Sequence, residues 1–191
     1  MNIKVRVVIL GTALALSSAA AYASRDADTA KLFRDSNQST EFFHSSYGYA
    51  VFPTIGKGGL GIGAAHGTGS VYAHGVRIGR VTMNQLSVGL QAGGEAYSEI
   101  IFFKDKDALS EFTDGNFEFS ADVGAIAITA AADLSVGTTG ANAGTSLEKR
   151  DAATAGTYNK GLAVFTIAKG GLMYNATVAG QKFSYHGRSG T

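Results

Sequence analysis

The chain has 191 residues, a formal charge of +1, 26 Gly, one Pro and no Cys, and 45% of its residues are hydrophobic. The length suits one domain with its own core. The composition excludes a disordered tail, a collagen-like or Pro-rich segment and a disulfide-stapled scaffold. A near-neutral chain also has no general attraction for nucleic acid, so any anion binding must come from a local patch.

The start, MNIKVRVVILGTALALSSAAAYAS, reads as an export leader. Lys4 and Arg6 precede a short apolar run from Val7 to Leu16, and Ala21-Tyr22-Ala23 is a small-x-small cleavage signal before Ser24. The expectation is a signal peptide over 1–23, one domain over 24–191, and a periplasmic or secreted location. Loss of Lys4 and Arg6 turns 16 basic and 15 acidic residues into 14 and 15, a net charge of −1.

Arg25 to Ser46 is predicted helical. Ala27, Ala30 and Phe33 recur at helical spacing beside Lys31 and Arg34. Asp35-Ser36-Asn37 interrupts the pattern, and Ser39 or Thr40 can cap a second short helix carrying Phe42 and Phe43. Gly48 is the expected stop.

Beyond Gly48 the period changes to two. Leu86, Val88 and Leu90 alternate with Ser87, Gly89 and Gln91, and Phe117, Phe119, Ala121 and Val123 alternate with polar or small residues. Both read as half-buried strands. AYSEIIFF, from Ala96 to Phe103, is apolar on both parities near its end and reads as a central strand covered on both sides. Asp105 to Thr113 is predicted to be a short helix, with Asp105 as cap and Ala108, Leu109 and Phe112 on one face. Thr138 to Thr157 reads as a long loop.

One phrase occurs twice: GYAVFPTIGKGGLGIG from Gly48 and GLAVFTIAKGGLMYN from Gly161. AVF is read as strand, Lys-Gly-Gly as a turn or bulge, and the next apolar stretch as a returning strand. The pair is consistent with two pseudo-symmetric hairpins, or with one good turn used twice. The architecture expected is α+β: a mainly antiparallel, twisted sheet curved toward a barrel, with amino-terminal helices and one short helix near 105–113. Glycines at 58, 59, 93, 94, 170 and 171 permit sharp curvature. Tyr49, Val51, Leu90, Ile100, Phe102, Phe119 and Val164 are the expected buried positions.

Catalytic chemistry is sparse. There is no Gly-x-Ser-x-Gly elbow, no Cys nucleophile and no phosphate loop, and His44, His66, His74 and His186 lack metal-ligand spacing. No cofactor, metal or enzymatic activity is expected. Glu99 shares strand parity with Tyr97, Ile101 and Phe103; there it needs a partner, or its pKa rises.

With GYAVFPTIGKGGLGIG, GLQAGGEAYSEIIFF and KGGLMYNATVAGQKFSY in this order, the chain resembles the SYLF-domain family of lipid-binding proteins from about Phe42 to Tyr185. Departures are small: Gly63-Ala64-Ala65 stands where Gly-Gly-Ala is usual, and Asn175-Ala176-Thr177 where Glu-Ala-Ser is usual. The resemblance implies binding to anionic or phosphoinositide-type membranes through an amino-terminal amphipathic helix. Its eukaryotic members are also described as actin-binding, but actin is not the partner expected of an exported protein. The residues expected to meet lipid are Lys31, Leu32, Phe33, Arg34, Phe42 and Phe43 on the helices. Lys57, Gly58, Gly59, Lys169, Gly170 and Gly171 are expected to join them at the Lys-Gly-Gly turns. The competing expectation is a small outer-membrane or envelope β-protein with no headgroup site.

Overall fold

In a computed structural model, described for residues 23–114, 117–119, 125–128 and 158–187, the repeated phrase explains the architecture. Both copies lie inside continuous strands. β1 is Gly48–Ala73, β2 is Val76–Phe103 and β5 is Leu162–Gly187. β1 and β5 both run antiparallel to β2, one on each side, so they are parallel to each other. Ala50-Val51-Phe52 faces Ile101-Ile100-Glu99, and Ala163-Val164-Phe165 faces Phe102-Ile101-Ile100. The two copies therefore flank one stretch of β2 at the same level.

Of the turn or bulge expected from sequence, Lys-Gly-Gly is the bulge: the register skips Lys169 in the second copy and shifts just after Gly59 in the first, and the strands crease there without reversing. Gly58 and Gly59 pair with Gly94 and Gly93, while Gly170 and Gly171 pair with Ala96 and Glu95 on the other side. Positive φ at Gly61 (72°), Gly93 (122°) and Gly170 (141°) supplies conformations that other residues adopt at a cost. A row of glycines thus crosses three strands and lets all of them bend together. Strands of 26, 28 and 26 residues, far above the usual five or six, are possible because each folds over at this row.

The bend makes two leaves. The first holds residues 48–56, 96–103 and 162–168; the second holds 63–73, 76–88 and 180–187. Along β1 the leaves meet. A Cβ on Gly69 would collide with the Val51 carbonyl, and one on Gly67 would lie 3.2 Å from the Thr54 carbonyl. Backbones this close are well inside the roughly 10 Å between stacked sheets. Among the described residues the β1 halves form no ladder with each other, so the sheet curls without closing into a barrel.

Two tight turns use the same device. His74 (φ 49°) and Gly75 (φ 77°) join β1 to β2, and Lys160 (φ 49°) and Gly161 (φ 77°) lead into β5. Both are two-residue connections with left-handed central residues, which match strand twist. At the far edge of β5, β3 (Phe117–Phe119) pairs antiparallel and β4 (Ala125–Ile128) pairs parallel. β4 is the exception to the antiparallel sheet.

Period-two alternation sorts the first leaf. Ala50, Phe52, Ile101, Phe103, Leu162 and Val164 point inward, against Ala65, Val71, Val81, Met83 and Phe183 of the second leaf. α3 (Lys106–Thr113) adds Ala108, Leu109 and Phe112 to this core. Phe112 lies 4.8 Å from Phe103 and 5.1 Å from Phe183, centroid to centroid. As expected, the Asp105 carboxylate caps α3, accepting from the Ala108 amide at 2.9 Å. The outer side of the first leaf, Val51, Ile100, Phe102, Ala163 and Phe165, is covered by Phe33 and Phe42. These come from α1 (residues 23–34) and α2 (Thr40–Ser45). Ser39 precedes α2, but its hydroxyl donates back to the Phe33 carbonyl, tying the helices together instead of capping α2.

Val51, Ile100, Phe102 and Val164 are buried as expected, and Tyr49 is half-buried. The side chains of Leu90 and Phe119, the leader over 1–22 and the segment 138–157 lie outside the described residues.

Candidate functional site

The second leaf reverses the alternation expected of it. Ser87 and Gln85 are buried, whereas Leu86 and Val88 are 70% and 65% exposed. Across the ladder Ile62 faces Val88, and Ala64 faces Leu86. Ile62 is 68% exposed and Leu60, at the bulge beside Gly61, is 83% exposed. Ile62, Leu86 and Val88 therefore share the outer face beside the crease, and Leu60 is exposed at the adjoining bulge. Sequence periodicity located the strand but could not say which parity faces in, because both faces of a strand satisfy the same pattern.

The inward face opposite is polar. Gln181 Nε2 donates to Gln85 Oε1 at 3.0 Å and lies 3.4 Å from Glu99 Oε2. Glu99 is 1% exposed, and its Oε1 has no hydrogen-bond partner. Burial raises its pKa to about 7, while the Gln181 bond pulls the other way. Among the described residues no cation pairs with it, which fits the sequence-based alternative of a raised pKa. The phenol of Tyr97 is also pushed upward, by burial first and then by Glu99 and Glu95.

The expected lipid-contacting residues divide into groups. Phe33 and Phe42 are core residues, and Phe42 packs 5.5 Å from Phe102 and 5.0 Å from Phe165. Their insertion into lipid would require the helices to leave the sheet. Phe43 is half-buried, edge-on to Phe102 at 4.9 Å, with the Arg34 guanidinium stacked over its ring, 4.8 Å from the centroid. Lys31 is exposed and pairs with Asp35, and Leu32 is 53% exposed. Lys57 points into cover, its side chain only 7% exposed and its ammonium 3.5 Å from Glu95. Lys169 is exposed and donates to Thr54 Oγ1 at 3.0 Å. Gly58, Gly59, Gly170 and Gly171 form the crease. The helix residues and the Lys-Gly-Gly residues thus belong to separate regions.

Among the described residues, no group of three or more His, Cys, Asp or Glu side chains could hold a metal ion, and no helix is long and apolar enough to cross a membrane.

A curled sheet, helices on one leaf and a bare aliphatic face at the crease define a small α+β module built for surface contact. The chain belongs to the Ysc84 (SYLF-domain) family, whose model, described as a Las17-binding protein actin regulator, matches residues 84–188. That span holds most of β2 and all but the final residues after β5, and so two of the three strands in the crease. The chain is also 30% identical over 162 residues to beta cell expansion factor A of Aeromonas veronii; this covers 82% of the chain and 53% of the relative. It thus spans about half the length of the curated relative it matches. No solved structure matches.

Proposed function

We propose that this protein is an exported, non-enzymatic module that binds anionic membrane surfaces through the outer face of the crease. The observation that carries this reading is the reversed alternation: Leu60, Ile62, Leu86 and Val88 outward, Gln85 and Ser87 inward. Apolar-out and polar-in is the pattern of strands that face lipid, and contiguous exposed apolar groups mark interaction sites. Lipid is a better fit than actin because the patch lies on the outside of a bend, where several aliphatic side chains can enter a bilayer together.

The magnitudes suit reversible binding. Full burial of one aliphatic side chain is worth roughly 1.5–3 kcal/mol. Partial insertion of four gives a few kcal/mol, about the strength of a single acyl chain, which anchors marginally. Lys169 stands at the crease, and Lys31, Leu32 and Arg34 on α1 offer a second contact at headgroup level. Each cation adds about 1 kcal/mol near anionic lipid, and neighbouring acids offset part of it.

Co-sedimentation with anionic vesicles at low salt tests the reading. Leu86→Ser/Val88→Ser should lose most vesicle binding while the melting temperature stays near that of the parent. Lys31→Glu/Arg34→Glu should weaken binding more than Lys57→Glu, whose lysine is already held by Glu95. Absence of binding to every anionic vesicle would refute the proposal. A requirement for detergent to keep the protein in solution would favour the envelope β-protein instead.

A further inference from the structure

Apolar side chains fill most of the space between the two leaves, and Glu99 is an acid set among them. In the first leaf it stands between Phe52 on β1 and Thr166 on β5. Gln85 and Gln181 meet it from the second leaf, where they stand abreast of Ala65 on β1. Gln181 Nε2 carries two hydrogens: it donates to Gln85 Oε1 at 3.0 Å and reaches Glu99 Oε2 at 3.4 Å. One amide therefore ties an acid of the first leaf to the second leaf. The other carboxyl oxygen, Oε1, is buried without a partner.

The leaves are pinned elsewhere. Phe112 touches both Phe103 and Phe183 away from the crease, and along β1 Gly69 lies against the Val51 carbonyl. The crease itself has room to move: a Cβ on Gly170 would meet nothing within 4 Å, and one on Gly94 nothing nearer than 3.5 Å. The amide of Gln181 thus holds the stretch between a yielding hinge and a fixed aromatic clamp.

We propose that Glu99, Gln181 and Gln85 form a proton-operated latch: the neutral carboxyl keeps the leaves closed beside the crease, and its ionisation admits water between them. An ionised carboxylate in this position keeps one long amide bond and has an oxygen with no donor, a costly arrangement away from water. Water at Oε1 removes that cost, and the leaves must part for it to enter. The ladders within each leaf stay intact. Burial raises the Glu99 pKa to about 7, with the Gln181 bond pulling the other way, so the latch changes state around neutral pH.

The neighbouring ionisable groups leave this role to Glu99. On its own strand the Tyr97 phenol is pushed upward by burial and stays neutral, and Glu95 is 3.5 Å from Lys57 of β1. β5 offers Gln181 and Thr166, with Lys182 exposed one position along. α3 turns Ala108, Leu109 and Phe112 inward and keeps Lys106, Asp107 and Glu111 exposed. β3 sets Glu118 in register with Lys182, and β4 carries no ionisable residue. Leu86 and Val88 alternate with Gln85 and Ser87 on one stretch of β2, so the latch acts on the strand that carries the outer aliphatic face. It is independent of what that face binds.

The chain has no Cys, so one introduced thiol reports access. Ala65→Cys puts it on the inner face beside Gln85, Ala64→Cys on the exposed face one residue away, and Val71→Cys on the inner face far from the crease. Each is labelled with a maleimide at pH 6, 7 and 8, and the Ala64→Cys rate corrects for ionisation of the thiol itself. The ratio of the Ala65→Cys rate to the Ala64→Cys rate should rise about tenfold from pH 6 to pH 8, the change that a shift from 4.5 to about 7 produces. Val71→Cys should stay protected throughout. Glu99→Gln should hold the ratio flat, and Gln181→Ala, which removes the tie, should raise it several-fold already at pH 6. A ratio unchanged between pH 6 and pH 8, the same rise in Glu99→Gln, or no acceleration in Gln181→Ala would overturn the latch. So would Val71→Cys labelling in step with Ala65→Cys, the mark of whole-chain unfolding.

Discussion

Replacing Glu99 by Gln should change how stability depends on pH, and the sign follows from burial. An isolated Glu titrates near 4.5, whereas in the folded chain Glu99 is raised to about 7. Between these values the folded state holds a proton that the unfolded state has released, so stability falls as pH rises from about 4.5 to about 7 and then levels. At 1.36 kcal/mol per pH unit the loss is roughly 3 kcal/mol. Glu99→Gln removes the titration and keeps the shape. At pH 5 the variant should melt close to the parent. At pH 8 it should melt higher, by up to about 6–12 °C for a chain of this size. The gain has that ceiling because the new amide must find its own acceptor beside Gln85 and Gln181. Thermal melts of both proteins by circular dichroism at pH 5, 6, 7 and 8 provide the measurement, and the difference between the curves cancels every other titrating group. Parallel curves, with no growth of the difference between pH 5 and 8, would show that Glu99 is not buried in the charged form's disfavour.

Gly69→Ala should destabilise by about 1–3 kcal/mol, since the new methyl meets the Val51 carbonyl and lies 2.8 Å from the Phe52 ring. Gly58→Ala is the control, with its nearest neighbour at 3.6 Å; equal melting temperatures for the two variants would contradict the seam along β1. Asp105→Ala should cost about 1 kcal/mol through the lost cap on Ala108, measured by urea denaturation, and no change in midpoint would count against the cap. Lys160→Asn should raise stability by a few tenths of a kcal/mol, because Asn accepts the left-handed conformation found there more readily than Lys; a lowered midpoint would argue against a left-handed residue at 160.

Much of the fold was legible because local signals and burial agreed. Asp105 followed by Ala108, Leu109 and Phe112 fixes α3, and doubly apolar AYSEIIFF belongs to a strand covered by helices on one side and by the second leaf on the other. The family was legible from long ordered motifs. What misled was the Lys-Gly-Gly phrase. Glycine permits a turn and a crease equally, and only the pairing partner distinguishes them: Gly58 facing Gly94 makes a row, which no local window contains. The aliphatic face was hidden for a related reason. Leu86 and Val88 alternate with Ser87 as any half-buried strand would, and their outward direction depends on Gln181 and Glu99 filling the inside from residues far along the chain. Phe33 and Phe42 read as a lipid-facing stripe because an amphipathic helix looks the same whether sheet or bilayer receives it.

Since β1, β2 and β5 each pass from one leaf into the other, neither leaf can be assembled from a contiguous piece of sequence. The first leaf gains a second strand only when the beginning of β1 finds the end of β2, whereas the second starts from the local hairpin at His74 and Gly75, and both wait for β5 to supply a third strand. Such long-range closure makes folding slow and all-or-none: the two halves should exchange their amide hydrogens in a single cooperative event, and cutting the chain at the spine should leave two fragments that fold only in each other's company.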